Sequence, residues 1–441
     1  MAADDQEPED ELREMLRELL SGGAGVDPAK LAASAGLPAD PASMARLFAQ
    51  LQGALSGSDD GINWQVATDQ AKAVASRTSF TPTDQQRRDL DQAMHLAALW
   101  LEEATSVADL PEAPKLMTRV QWIEQTMPFW SQLAEPVASS IADALTSVLK
   151  EQAPEEVAGM LQHAGRLVRG IGGTLFAVQL GQVVGALSAE VVSGGDVGIP
   201  LLEDRAAVLP QNLQAFGEGL DIPADQIALY LSVREIAHAR LFRHARWLRM
   251  QLVSSITEFA RGIRIDTSRV EELAANFDPN DPENLREALS SGALIPPKTP
   301  AQQAALQRLE TMLALVEGWV DVVTAHATAR LPKSDAIAET VRRRRAAGGP
   351  AERAFATLVG LELRPRRLRE AAAMWQIVGD SLGPERRDEL WSHPDLLPTS
   401  ADIDDPDALV KRLQEPPAAD DVDQAIEDLL RDDDSDRPTE G

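Results

Sequence analysis

The sequence predicts a mostly α-helical protein with little β structure. Ala and Leu dominate its apolar residues, aromatic residues make up only 4% of the chain, and apolar positions recur at helical spacing over long stretches. With 441 residues and 44% hydrophobic content, the chain is long enough to bury a substantial core. We expect one large helical domain over residues 61–400, with an acidic N-terminal extension at 1–60 and an acidic tail at 401–441.

The predicted helices follow one another along this domain and are placed by apolar periodicity and capping residues. They are Trp64–Ser76, Thr83–Thr105, Thr118–Glu151, Tyr230–Met250, Leu252–Arg261, Thr299–Arg330, Ser334–Ala347, Pro350–Gly360 and Arg367–Gly383. Pro128 and Pro136 are candidate kink sites in the third of these helices.

The segment Gly170–Ala189 is uncharged and raises the question of a membrane span. It contains several polar residues, and no second hydrophobic segment accompanies it. Gly181 and Gly185 stand four residues apart, which allows a neighbouring helix to approach closely. We therefore predict a buried core helix and no stable membrane insertion.

The segment Ser193–Pro210 interrupts the helical pattern with glycines and supplies apolar residues between them. It is the best candidate for extended structure in the chain. An extended segment that precedes a catalytic helix could line the backbone of a peptide substrate.

Charge and cysteine content limit the classes of partner. The formal net charge is −28, and much of it lies in residues 1–12 and 401–441. A negative field repels nucleic acid phosphates, so we expect no nucleic acid partner. The absence of Cys excludes disulfides and thiolate zinc ligands and fits a reducing compartment. Because the first residues also lack the pattern of a signal peptide, we expect a cytoplasmic protein.

The helix predicted at Tyr230–Met250 contains the most informative motif. It has no Pro or Gly, which predicts one continuous helix. Glu235 and His238 stand at i and i+3, so a carboxylate and an imidazole share one helix face, and Arg234 lies one turn before the histidine. The sequence is the H-E-x-x-H zinc-peptidase motif with Arg in place of the first His. An E-x-x-H pair alone also arises often by chance.

Five stretches together resemble the actinobacterial zincin-like metallopeptidase family, whose members are often described as hydrolases. The stretches are Arg234–Phe242, Val316–Asp321, Arg342–Pro350, Gly360–Arg369 and Trp391–Pro398. Their order is maintained over roughly residues 60–415. The resemblance implies a large helical zincin-like domain that hydrolyses peptide bonds with the help of zinc.

The resemblance also implies roles for single residues. Glu235 matches the general base, which takes a proton from a metal-bound water while the metal polarises the scissile carbonyl. His238 and Glu317 match the second and third zinc ligands, and Arg234 occupies the position of the first ligand. A guanidinium stays protonated and has no lone pair for a metal, so zinc, the implied cofactor, would be held by a degenerate site.

Two further residues are expected to line this site. Trp319 stands where some members of the family have His, and Asp321 follows it by two residues. His244 follows His238 by six residues, but Leu241 replaces the Gly that would break the helix, so we expect His244 to point away.

The sequence leaves three functions open. The first is a zinc-dependent metallopeptidase-like hydrolase with a degenerate metal site. The second is a non-catalytic relative that binds a peptide or protein partner in the former active-site cleft, with Arg234 paired to Glu235 or Glu317 in place of the metal. The third and weakest is a membrane-associated protein.

The arginine row Arg342–Arg345 is expected to pair internally or to bind an acidic tail rather than nucleic acid.

Overall fold

A computed structural model of the protein describes residues 62–78, 81–152, 173–174, 176–202, 205–261, 298–346, 350–359, 361 and 367–415. Helices contain 74% of the described residues, and the named strands are two residues long each. The prediction of a mostly helical domain with little β structure is confirmed. The expected N-terminal extension at residues 1–60 and the chain after residue 415 lie outside the described residues.

The elements are numbered in chain order. They are α1 (Trp64–Ser76), α2 (Asp84–Leu101), β1 (Lys115–Leu116), α3 (Arg119–Gln152), α4 (residues 176–188), β2 (Ala207–Val208), α5 (Pro210–Gly217), α6 (Ala224–His244), α7 (Arg246–Arg261), α8 (Pro300–Ala327), α9 (Ser334–Ala346), α10 (Pro350–Val359), α11 (Leu368–Leu382), α12 (Pro384–Glu389), α13 (Ser400–Asp404) and α14 (Pro406–Gln414). A short 3₁₀ helix, Pro394–Leu396, lies between α12 and α13.

Local capping explains where several helices begin. The Asn63 side chain accepts the backbone N–H of Gln65 at the start of α1. Thr83 and Thr299 each form a capping box with a glutamine three residues later, at the starts of α2 and α8. These helix starts could be predicted because the residues that fix them are adjacent in sequence.

The predicted continuous helix Tyr230–Met250 is wrong. Helix α6 ends at His244, Ala245 leaves the helical conformation with φ −96° and ψ 65°, and α7 begins at Arg246. Ala245 is fully buried, and its N–H still donates to the carbonyl of Leu241. The bend contains a buried alanine instead of the Gly or Pro that is common where a helix ends, so no residue type near the break predicts it.

Helices α6 and α8 form the centre of the domain. Helix α6 packs against α2 and α8, and α8 also packs against α11. Every residue of α6 from Ile227 to Phe242 is buried. A helix that is enclosed on all sides has no polar face, and the charged residues that it carries must therefore find partners inside the protein.

Helix α4 confirms the prediction of a buried helix with closely packed neighbours. A Cβ added to Gly181 would lie 2.5 Å from the carbonyl oxygen of Ala67, and one added to Gly185 would lie 2.7 Å from the Cβ of Val74. Both contacts are with α1, which therefore packs directly on the two glycines. Within the described residues, no helix is long and apolar enough to cross a bilayer.

The predicted extended segment Ser193–Pro210 contains a single short strand. β2 pairs in parallel with β1, with Lys115 opposite Ala207, and an isolated bridge joins Ser193 to Val208 on the other side. β2 therefore has a partner along both edges. Residues 193–198, which precede β2 in the chain, form a tight turn that we call the glycine loop. This loop lies over the middle of α6.

The helical body continues past residue 400, where the sequence places the start of the acidic tail. Helices α13 and α14 pack against α11, and Ile403 and Leu409 are buried. The short apolar pattern of α14 provides this packing, although the surrounding residues are strongly acidic.

A buried ion cluster at the candidate metal site

Helices α6 and α8 bring Arg234, His238 and Glu317 together. The Glu317 Oε2 atom accepts a hydrogen bond from Nη2 of Arg234, and Oε1 lies 3.2 Å from Nε2 of His238. Arg234 and His238 are one turn apart on α6, so their side chains reach the same carboxylate on the facing helix. All three residues are buried.

Arg345, near the end of α9, is a fourth member of this cluster. Its Nη1 atom lies 3.0 Å from Glu317 Oε1, the same oxygen that faces His238. The Nη2 atom lies 3.8 Å from Asp196 in the glycine loop, and Arg344 lies 3.4 Å from the same aspartate. Glu317 therefore has a guanidinium on each carboxylate oxygen.

The row Arg342–Arg345 pairs internally. Arg342 donates to Asp321, Arg343 to Glu339, and Arg344 to the backbone carbonyl of Glu190. The predicted internal pairing of these arginines is confirmed for all four side chains.

Glu235 has backbone partners rather than a charged one. Its Oε2 atom accepts the N–H of Gly195 at 2.7 Å, and its Oε1 atom accepts the N–H of Ala207 at 2.8 Å. Burial raises the pKa of this carboxyl to about 7, against the lowering effect of these hydrogen bonds. A proton can therefore reside on Glu235 at neutral pH.

The glycine loop covers Glu235 and His238 of the R-E-x-x-H motif. A Cβ added to Gly195 would lie 2.9 Å from the Cβ of His238 and 3.0 Å from Glu235 Oε2. Gly198 has φ +78°, and a Cβ there would lie 3.1 Å from Glu317 Oε1. Only glycine allows the backbone to approach the cluster this closely.

Electrostatic interactions stabilise the charged forms of Glu317 and Arg234. Burial raises the pKa of Glu317, but Arg345 and Arg234 outweigh it and hold that pKa far below the usual range. Burial lowers the pKa of Arg234, but Glu317, together with Tyr230, Asp321 and Asp196, raises it above its usual value. Burial lowers the pKa of His238, which favours a neutral imidazole.

Of the two further residues expected at the site, Asp321 lies near the cluster and interacts with Arg234, whereas Trp319 has other surroundings. Asp321 lies one turn beyond Glu317 on α8 and accepts from Arg342 at 2.7 Å. Trp319 lies on the opposite face of α8, because two residues turn a helix by about 200°. Its indole N–H donates to Asp388 at 2.8 Å, and its ring packs edge-on against Trp391. Trp319 is therefore part of the core behind the cluster.

The cluster does not fit a catalytic zinc ion as it stands. His238 and Glu317 supply two donor atoms at a separation that two zinc ligands can have, but the third position holds the guanidinium of Arg234. Arg345 adds a second positive charge beside the same carboxylate. Within the described part of the chain, no group of three or more His, Cys, Asp or Glu residues is placed to bind a metal.

Comparisons with known proteins agree with this architecture. A family model described as zincin-like metallopeptidase matches residues 62–410. The structure is also similar to that of a proposed hydrolase with a novel fold from Chloroflexus aurantiacus, with a TM-score of 0.55 and 19% sequence identity. That alignment covers 81% of this chain and 100% of the other, and it shows a shared fold. No curated protein sequence matches the chain significantly.

Proposed function

The chain belongs to the zincin-like metallopeptidase family of peptidase-like hydrolases, and from this premise we propose that it is a metal-free member that binds a peptide or protein partner without cleaving it. The observation that carries the proposal is the buried ion pair between Arg234 and Glu317. The guanidinium of Arg234 places a permanent positive charge beside the carboxylate of Glu317, which would otherwise hold zinc. The cytoplasmic location predicted from the sequence is part of the same proposal.

The position of Glu235 supports the absence of peptide cleavage in this proposal. A general base must reach a water molecule, whereas both carboxylate oxygens of Glu235 accept backbone N–H groups of Gly195 and Ala207. β2, which could otherwise add a peptide strand, already has a partner along each edge. A peptide or protein partner would therefore bind elsewhere on the retained fold or displace the glycine loop.

A specific observation favours zinc-dependent peptide hydrolysis as a second candidate. The Nδ1 atom of His238 lies 3.0 Å from the carbonyl oxygen of Arg234, which can accept but not donate a hydrogen bond. A neutral His238 whose proton is on Nδ1 directs the Nε2 lone pair toward Glu317, which is the orientation of a zinc-binding histidine. This candidate requires Arg234 to leave Glu317.

Metal content separates the two candidates. Tag-free protein is analysed by mass spectrometry before and after addition of equimolar zinc and desalting, together with the variants His238→Ala and Glu317→Ala. The metal-free proposal expects no retained zinc in any of them. Near one zinc per chain in the wild type, lost in both variants, would establish the second candidate.

A peptidase assay provides the matching functional readout. A library of internally quenched peptides is incubated with the wild type and with Glu235→Gln, with zinc or with a chelator. The proposal expects equal background in all four conditions. Hydrolysis that is lost in Glu235→Gln and in chelator would overturn it.

A further inference from the structure

We propose that Arg234 and Arg345 together replace the charge of the zinc ion, so that Arg345 is as much a part of the substitution as Arg234. The inference rests on the proposed absence of zinc. It goes beyond that proposal because it assigns a role to Arg345, which lies 28 residues after Glu317 and outside the R-E-x-x-H motif.

The geometry of Glu317 is the first support. Its Oε2 atom accepts a hydrogen bond from Arg234, and its Oε1 atom lies 3.0 Å from Arg345 Nη1. Zinc carries two positive charges, and two guanidinium groups supply the same charge to the same buried carboxylate. His238 remains beside Oε1, with its Nε2 atom 3.2 Å from that oxygen.

The glycine loop packs over Arg345. Asp196 lies within 4 Å of the Arg345 guanidinium and, through Oδ2, also accepts the backbone N–H of Val192 at 2.9 Å. A Cβ at Gly198 would lie 3.3 Å from Arg345 Nη1. The loop therefore lies directly over the guanidinium, and Asp196 places a second carboxylate near it.

This arrangement predicts that correcting the motif alone does not restore a zinc site. In Arg234→His the chain regains a complete H-E-x-x-H motif, but Arg345 still places a positive charge beside the third ligand. In a weakly screened interior, a guanidinium next to a divalent cation reduces affinity by roughly a hundredfold or more. Arg345→Met removes this charge and keeps an unbranched apolar stem of similar length.

The test compares zinc affinity in Arg234→His, Arg234→His with Arg345→Met, and Arg234→His with Arg343→Met. The last is the matched control, because Arg343 is the exposed neighbour in the same row and pairs with Glu339 on its own helix. Zinc dissociation constants are measured by competition with a chromophoric chelator. Circular dichroism and thermal unfolding with chelator present establish that each variant is folded.

We expect the variant that lacks both Arg234 and Arg345 to bind one zinc at least a hundredfold more tightly than the other two variants. Zinc should also raise its melting temperature, because a ligand that binds only the folded state stabilises that state. Equal affinity in all three folded variants, whether tight or absent, would overturn the role of Arg345. Zinc retained by the wild type would instead overturn the proposed function, so the two failures are distinguishable.

Discussion

The backbone N–H of Gly195 donates to Glu235 Oε2 at 2.7 Å, and this contact joins the glycine loop to the centre of α6. Because Glu235 is fully enclosed, burial raises its pKa from the usual 4.5 to about 7. The same carboxyl group therefore both binds the glycine loop and carries the proton whose pKa burial raises.

Replacing Glu235 by Gln is expected to change how stability depends on pH. The folded wild type retains a proton between pH 4.5 and 7 that the unfolded chain has lost, so the Glu235 contribution is complete below 4.5 and is lost as pH rises through 7. The shift from 4.5 to about 7 corresponds to up to about 3 kcal/mol. The wild type should therefore lose stability relative to Glu235→Gln over this interval.

The measurement is urea unfolding of both proteins at several pH values from 5 to 8. His238 has a lowered pKa and contributes the opposite slope below its usual value of 6.5, but it is present in both proteins and cancels in the difference. Glutamine presents an amide N–H₂ to one of the backbone donors, which adds a constant offset. A difference that does not vary with pH would contradict the raised pKa of Glu235.

A double-mutant cycle on Arg234 and Glu317 should show strong coupling. Arg234→Met leaves the buried carboxylate of Glu317 without one of its two guanidinium partners and should cost about 3 kcal/mol of unfolding free energy. The variant that carries both Arg234→Met and Glu317→Gln should lose less unfolding free energy than the two single variants lose together. The difference should exceed about 1 kcal/mol. Denaturant unfolding at pH 7 measures all four corners of the cycle.

The exposed Arg343 provides the control for the cycle. Its partner, Glu339, is on the same helix and faces solvent, so Arg343→Met should leave the free energy of unfolding nearly unchanged. Additive effects of the Arg234 and Glu317 variants would mean that the pair is not coupled, which contradicts its proposed role in place of the metal.

Much of the fold was predictable because its signals are local. Helix α1 has the predicted bounds, since Asn63 caps its start and its buried apolar pattern ends at Ala75, one residue before the helix ends. The break at Ala245 was not predictable, because a buried alanine gives no local sign of a bend. The sequence predicts an acidic tail beyond residue 400, whereas the structure has a packed helix there that buries Leu409.

The candidate site was predictable only in part for a related reason. Arg234, His238 and Glu317 belong to recognisable motifs and lie together in the structure. Arg345 was missed because four consecutive arginines point in four directions, about 100° apart, and the sequence cannot say which reaches the centre. Only its distance to Glu317 identifies it.

Substitution of Gly195 by Ala tests the close approach of the glycine loop. The added Cβ would lie 2.9 Å from the Cβ and Cγ of His238, atoms close to the backbone that cannot move away easily. We expect a loss of about 1–3 kcal/mol in unfolding free energy and faster hydrogen exchange at the amide of Ala207. Gly379→Ala is the control, because its Cβ would meet Arg387 only at 3.6 Å and alanine is favoured inside a helix. Equal stability of the two variants would mean that the loop is not pressed against α6.

Substitution of Trp319 by Phe tests whether this residue belongs to the core or to the candidate metal site. The phenyl ring keeps most of the packing against Trp391 but loses the N–H bond to Asp388. Asp388 is buried and retains donors from Thr105 and Arg387, so we expect a loss of about 1 kcal/mol in unfolding free energy. The change should leave zinc affinity unaltered when it is added to the variant lacking both Arg234 and Arg345, because Trp319 faces away from Glu317. Chelator competition measures that affinity, and a tenfold change with little loss of stability would place the indole at the metal site instead.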